Sequence, residues 1–164
     1  MSKLITGLFQ EVFERPYSPS DTDDKIMIQK NTYLLERLGL DMGDFWFMWD
    51  AFGPYSLELK NVISDEMKDG EDRIVFSEFA KAQIKSVQDI LKKGHEVKQD
   101  PRDWLEIICS LHFLKNYVIA GGDVVSELEK RKPRFSDRTI TSCALNIVNI
   151  IDSMGCYNDA CYQA

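Results

Sequence analysis

The sequence is poor in the side chains that most enzyme chemistry requires. It holds two histidines, His95 and His112, and four cysteines, Cys109, Cys143, Cys156 and Cys161, in 164 residues. A small secreted domain held by disulfides would be denser in cysteine. No uninterrupted apolar run reaches the roughly 18 residues that span a bilayer. The first residues turn acidic at Glu11 and Glu14 without the long apolar core of a signal peptide. These absences point to the reducing cytoplasm and away from a membrane.

Catalytic patterns are equally scarce. No evident pairing of a serine or cysteine with histidine and aspartate marks a nucleophile. Gly121-Gly122 lacks both the wider glycine pattern and the preceding strand of a phosphate loop. Cys109 and His112 stand three residues apart on a helical stretch and could face one ion. A closed zinc site needs four ligands, however, and Cys143 is the only other plausible donor. A buried thiol beside a partly buried imidazole is the simpler reading. Cys156 and Cys161 lie in a tail that does not make a closed site, and Glu127 with Glu129 reads as a solvated helix face. The expectation is therefore no enzyme, no metal and no cofactor.

What the chain does have is a foldable composition, 44% hydrophobic and 29% charged. That suits one domain over residues 1–155, followed by a loosely held tail, 156–164. Helix signals dominate. Leu4, Leu8 and Val12 open an amphipathic first helix that Pro16 and Pro19 end. Ser20 with Asp23 reads as a capping box for a helix from about Asp21 to Leu38, closed by Gly39. Ser56 caps a helix to about Met67, Ser77 caps one ended by Gly94, and Asp100-Pro101 opens one apolar on several faces. Asp123 starts a short helix to about Lys130, and Ser136 caps the last, closed by Gly155. Between these helices Asp44–Asp50 is aromatic and bounded by turn residues, which favours a strand. Gly53-Pro54 reads as a turn with Gly53 at positive φ, and Ile74–Phe76 as a short strand or extended piece. The fold expected is mainly α, a helical bundle with one small β-hairpin.

Charge is distributed unevenly. Residues 41–72 carry nine acidic and two basic side chains, a negative excess as large as the chain's net −7. A protein that grips a phosphate backbone needs the opposite sign. Two candidate surfaces follow. In the first, strand alternation sends Phe45, Phe47 and Trp49 to the core and leaves Asp44, Trp46, Met48 and Asp50 outward. Joined by Tyr55 and Glu58, these make an aromatic contact site with an acidic rim, the composition of a protein-binding hot spot. In the second, Lys25, Gln29, Lys30 and Arg37 on the second helix serve as phosphate or base contacts of a DNA-binding regulator.

The run Gln29-Lys30-Asn31-Thr32-Tyr33-Leu34-Leu35, then Leu38-Gly39-Leu40, the aromatic strand, and Phe52-Gly53-Pro54-Tyr55-Ser56 resembles the YwgA-like proteins of bacteria, relatives of the SocA-like (Panacea) antitoxin domains. Lys130-Arg131-Lys132-Pro133-Arg134-Phe135-Ser136-Asp137 is similar to that family's approach to its last helix. The match covers about residues 25–67 and 128–152, with Phe52 in place of the usual tyrosine. The resemblance implies a winged-helix-like fold without catalytic residues. It also implies an interaction module of antitoxin or regulatory type. From its charge, the expected partner is a protein with a basic surface, such as a toxin that acts on nucleic acid, and a homodimer is a further expectation.

Overall fold

In the computed structural model, which describes residues 3–43, 45–70 and 74–154, the protein is mainly helical with a single two-stranded hairpin. The order is α1 (Leu4–Phe13), α2 (Thr22–Arg37), β1 (Met48–Asp50), β2 (Gly53–Tyr55), α3 (Leu57–Glu66), α4 (Glu78–Glu96), α5 (Pro101–Phe113), α6 (Val124–Arg131) and α7 (Arg138–Met154). A π-helical turn, Leu114–Val118, extends α5.

Helix α5 is the centre. Every residue from Trp104 to Phe113 is buried, and α2, α4, α6, α7 and β2 all pack around it. A helix apolar on all sides must be surrounded, and Leu105, Ile108, Cys109 and Leu111 fill the space between α5 and its neighbours. Trp104 is fully buried, and its indole N–H donates to the Ile90 carbonyl of α4 at 2.8 Å.

Local signals place most helix ends. Ser56 accepts from the Leu59 N–H and Ser77 from that of Ala80. Asp100 accepts from the N–H groups of Arg102 and Asp103, and Asp123 from that of Ser126. Gly39, at φ 93°, follows the end of α2. Two caps fall one residue later than expected. Asp21, not Ser20, caps α2 by accepting from Asp23 and Asp24, and Asp137, not Ser136, accepts from Thr139 and Ile140 ahead of α7. A carboxylate both accepts more strongly than a hydroxyl and complements the helix dipole.

Gly94 does not end α4. The helix continues to Glu96, and the chain reverses at Lys98, φ 60°. Gly94 is instead where α4 meets the Trp104 indole so closely that a Cβ would overlap the ring. The strand reading was also too broad. β1 covers only Met48–Asp50, Ala51-Phe52 form the turn, and Gly53-Pro54 belong to β2, with Met48 opposite Tyr55 and Asp50 opposite Gly53. Among the described residues the segment at Ile74–Phe76 pairs with no strand, and it packs its Ile74 and Phe76 side chains near Gly7 of α1. Gly155, Cys156, Cys161 and the rest of the expected tail lie outside the described residues.

Candidate functional site

The hairpin packs against α2 and α5 and leads into α3, and α2 holds it with side chains rather than strand pairing. Gln29 Nε2 donates to the Ser56 carbonyl at 2.9 Å, while its Oε1 accepts from the Ser56 N–H at 2.9 Å. The next residue, Lys30, sends its ammonium to the Pro54 carbonyl at 2.7 Å. Two adjacent residues of α2 thus saturate the backbone where β2 enters α3. Gly53, at φ 86°, brings the chain so near α5 that an added Cβ would overlap Ser110 Oγ.

A second clamp grips the tip. Lys132, just beyond α6, donates to the Ala51 carbonyl and, at 2.9 Å, to Glu106 of α5. Glu106 is wholly buried and takes a second ion pair from Arg134. A buried carboxylate is tolerable only with such partners. The ring of Trp49 has the Lys132 Nζ 5.3 Å and the Arg131 guanidinium 5.5 Å from its centroid.

Three of the four residues expected to contact DNA are turned inward. Gln29, Lys30 and Arg37 are buried, and only Lys25 is exposed. Gln29 and Lys30 face inward because the Pro54 and Ser56 backbone would otherwise lack partners away from water. Arg37 lies over Tyr33, 4.1 Å from its centroid, with Phe47 and Tyr117 also around its guanidinium.

The aromatic segment alternates between core and surface although only its end, Met48–Asp50, is strand. Phe45 and Phe47 are buried and Trp49 is half-buried, whereas Trp46 is 47% and Met48 62% exposed. Glu58 joins this outer face, its Oε2 accepting from the Trp46 N–H at 3.3 Å. Leu57 beside it is exposed as well. Asp50 is exposed at the end of β1, and Tyr55 is half-buried. Burial first, then the Asp50 carboxylate, pushes the Tyr55 phenol up, so it is a neutral donor at pH 7. Trp46, Met48, Asp50, Tyr55 and Glu58 are therefore together on the hairpin and the start of α3; Asp44 lies outside the described residues.

Not all of the acidic excess faces outward. Glu66 is buried and caps α1, accepting from the Ile5 N–H and from both the N–H and hydroxyl of Thr6 at 2.9 Å each. Asp65 pairs with Lys68 at 3.3 Å.

Cys109 and His112 serve the interior. The Cys109 thiol points at the Lys30 carbonyl, 3.7 Å away, and burial pushes its pKa up to about 12. His112 Nδ1 meets the Tyr33 hydroxyl at 2.7 Å, and its Nε2 lies 3.2 Å from Asp152. Burial pulls the His112 pKa down against the upward pull of Asp152, favouring the neutral ring. Among the described residues no three histidines, cysteines or carboxylates are grouped to hold a metal ion, and no helix is long and apolar enough to cross a membrane.

Sequence reasoning missed Lys132 and Glu106 as hairpin anchors. The only trace was an acidic residue inside an otherwise apolar helix, which must find a cation once buried. The chain matches no protein-family profile, no curated protein and no solved structure.

Proposed function

We propose that this protein is a non-enzymatic interaction module of antitoxin or regulatory type, which docks a basic, nucleic-acid-acting protein partner on the outer face of its hairpin. The observation that carries this reading is the exposure of Trp46 and Met48 beside Glu58 and Asp50, on a hairpin held by two clamps. An aromatic and a methionine on a rigid support lose little freedom on binding, and an acidic rim steers a basic partner toward them. The inward turn of Gln29, Lys30 and Arg37 removes three of the four side chains on which the competing DNA reading depends.

Two measurements test it. A gel-shift series with duplex DNA at low salt gives no retardation; tight binding with a steep salt slope overturns the proposal. Affinity purification from the native host recovers a basic protein with the wild type. Trp46→Ala and Met48→Ala, both folded, lose it, and Asp50→Lys slows its association. Recovery unchanged by all three variants also overturns the proposal.

A further inference from the structure

Beside the hairpin the chain forms an open cavity of about 510 Å³ between α2, β2 and α3. That volume is in the range of small-molecule sites, about 300–1,000 Å³. Its walls are largely apolar and aromatic, including Ile26, Ile63, Tyr17, Phe52 and Tyr55. Its charged lining runs against the rest of the molecule. Lys25, Lys30 and Lys60 contribute three cations and Asp50 one anion, in a chain whose formal net charge is −7.

Lys30 makes this more than a group of surface lysines. It is 1% exposed, and an ammonium carries three N–H donors. Among the described residues its hydrogen-bond acceptor is the Pro54 carbonyl, and no carboxylate lies within ion-pair distance of it. Burying a cation with one neutral acceptor is costly. The Pro54 carbonyl, which a hydrophobic side chain would leave unpaired, accounts for one of the three donors but not for the other two. An anion in the cavity would supply the missing acceptors.

We propose that this cavity binds a small ligand consisting of a phosphate monoester on an aromatic ring system, a nucleoside monophosphate or a molecule of that form. Lys30 meets the phosphate, with Lys25 and Lys60 at the cavity wall. The lining carries an excess of two positive charges, which matches the charge of about −1.5 to −2 on a phosphate monoester at pH 7. Tyr17, Phe52 and Tyr55 offer rings for stacking. The site is separate from the partner face: Trp46, Met48 and Glu58 take no part in it, and only Asp50 and Tyr55 are common to both.

The test is calorimetric titration of the full chain with AMP, GMP, CMP and UMP, with inorganic phosphate and 4-hydroxybenzoate as comparison ligands. The proposal expects at least one nucleotide to bind one-to-one below about 1 mM, and inorganic phosphate about tenfold more weakly or not at all. Lys30→Met, if its melting curve matches the wild type, weakens that nucleotide by about tenfold or more. Should Lys30→Met not fold, Lys60→Gln at an exposed position decides, with a several-fold loss expected. Trp46→Ala binds the nucleotide like the wild type, which separates this site from the partner face. The proposal is overturned if no nucleotide binds at about 1 mM, if 4-hydroxybenzoate binds and the nucleotides do not, or if the deciding lysine variant binds undiminished.

Discussion

The ammonium of Lys132 donates to the carbonyl of Ala51, 81 positions earlier in the chain. The bond ties the turn of the hairpin to the segment that follows α6. Together with the bonds from Gln29 and Lys30, it anchors a short hairpin. A three-residue strand pair has little stability of its own, so its position is owed to these side chains.

Lys132→Met leaves the buried Glu106 with one cation instead of two and frees the hairpin tip. The expected loss is about 3 kcal/mol, as for other broken buried ion pairs. Urea unfolding measures it, and hydrogen exchange should quicken selectively in residues 48–55. A variant as stable as the wild type would show the clamp to be idle.

Gly53→Val combines a positive φ with a Cβ that overlaps Ser110 Oγ. Strain of roughly 1–2 kcal/mol from the backbone adds to overpacking of about 1–3 kcal/mol. Thermal unfolding should show a large fall in Tm, and an undiminished Tm would mean that the approach of β2 to α5 is wrong.

Gly94→Ala sets two effects against each other. Alanine gains about 1 kcal/mol of helix propensity over glycine, but here its methyl meets the Trp104 ring. Trp104 is fully buried and tied to Ile90, so the ring has little room to give way. Net destabilisation by about 1–3 kcal/mol is expected; a gain in stability on chemical denaturation would contradict the packing.

His112 makes stability depend on pH. Its folded pKa is depressed by burial, while the unfolded imidazole titrates near its ordinary value of about 6.5. Between the two the unfolded chain binds more protons, so this group's contribution is complete above about pH 6.5 and declines as pH falls through the folded pKa. Urea unfolding at a series of pH values should show that slope, and His112→Gln should flatten it. Asp24 acts in a separate, more acidic window. Burial alone would raise its pKa, but the hydrogen bonds from Arg15 and the Ser18 N–H outweigh that and hold it below the usual carboxylate value. Its contribution is present above that value and lost as pH falls through the folded pKa.

Much of this fold was legible because its signals are local. Ser56, Ser77, Asp100 and Asp123 announce helices by bonds that span two or three residues, and the alternation of Phe45, Trp46, Phe47 and Met48 separates core from surface although only Met48 of these lies in the strand. What could not be read depends on distant partners. Lys25, Gln29, Lys30 and Arg37 look like one polar helical set, and only the unmet Pro54 and Ser56 backbone and the Tyr33 ring draw three of them inward. Gly94 reads as a helix end until Trp104 is placed against it. Glu66 counts as surface charge until the N–H groups of α1 claim it.

The contact between Lys30 and Pro54 also bears on how the small sheet can grow. Proline has no N–H to offer a neighbouring strand, and the carbonyl of Pro54 is already occupied by the ammonium. β2 is thereby closed to a third strand at this position, and edge-to-edge polymerisation on that side is blocked. Any extended peptide that adds to the hairpin must come alongside β1, the strand that displays Met48.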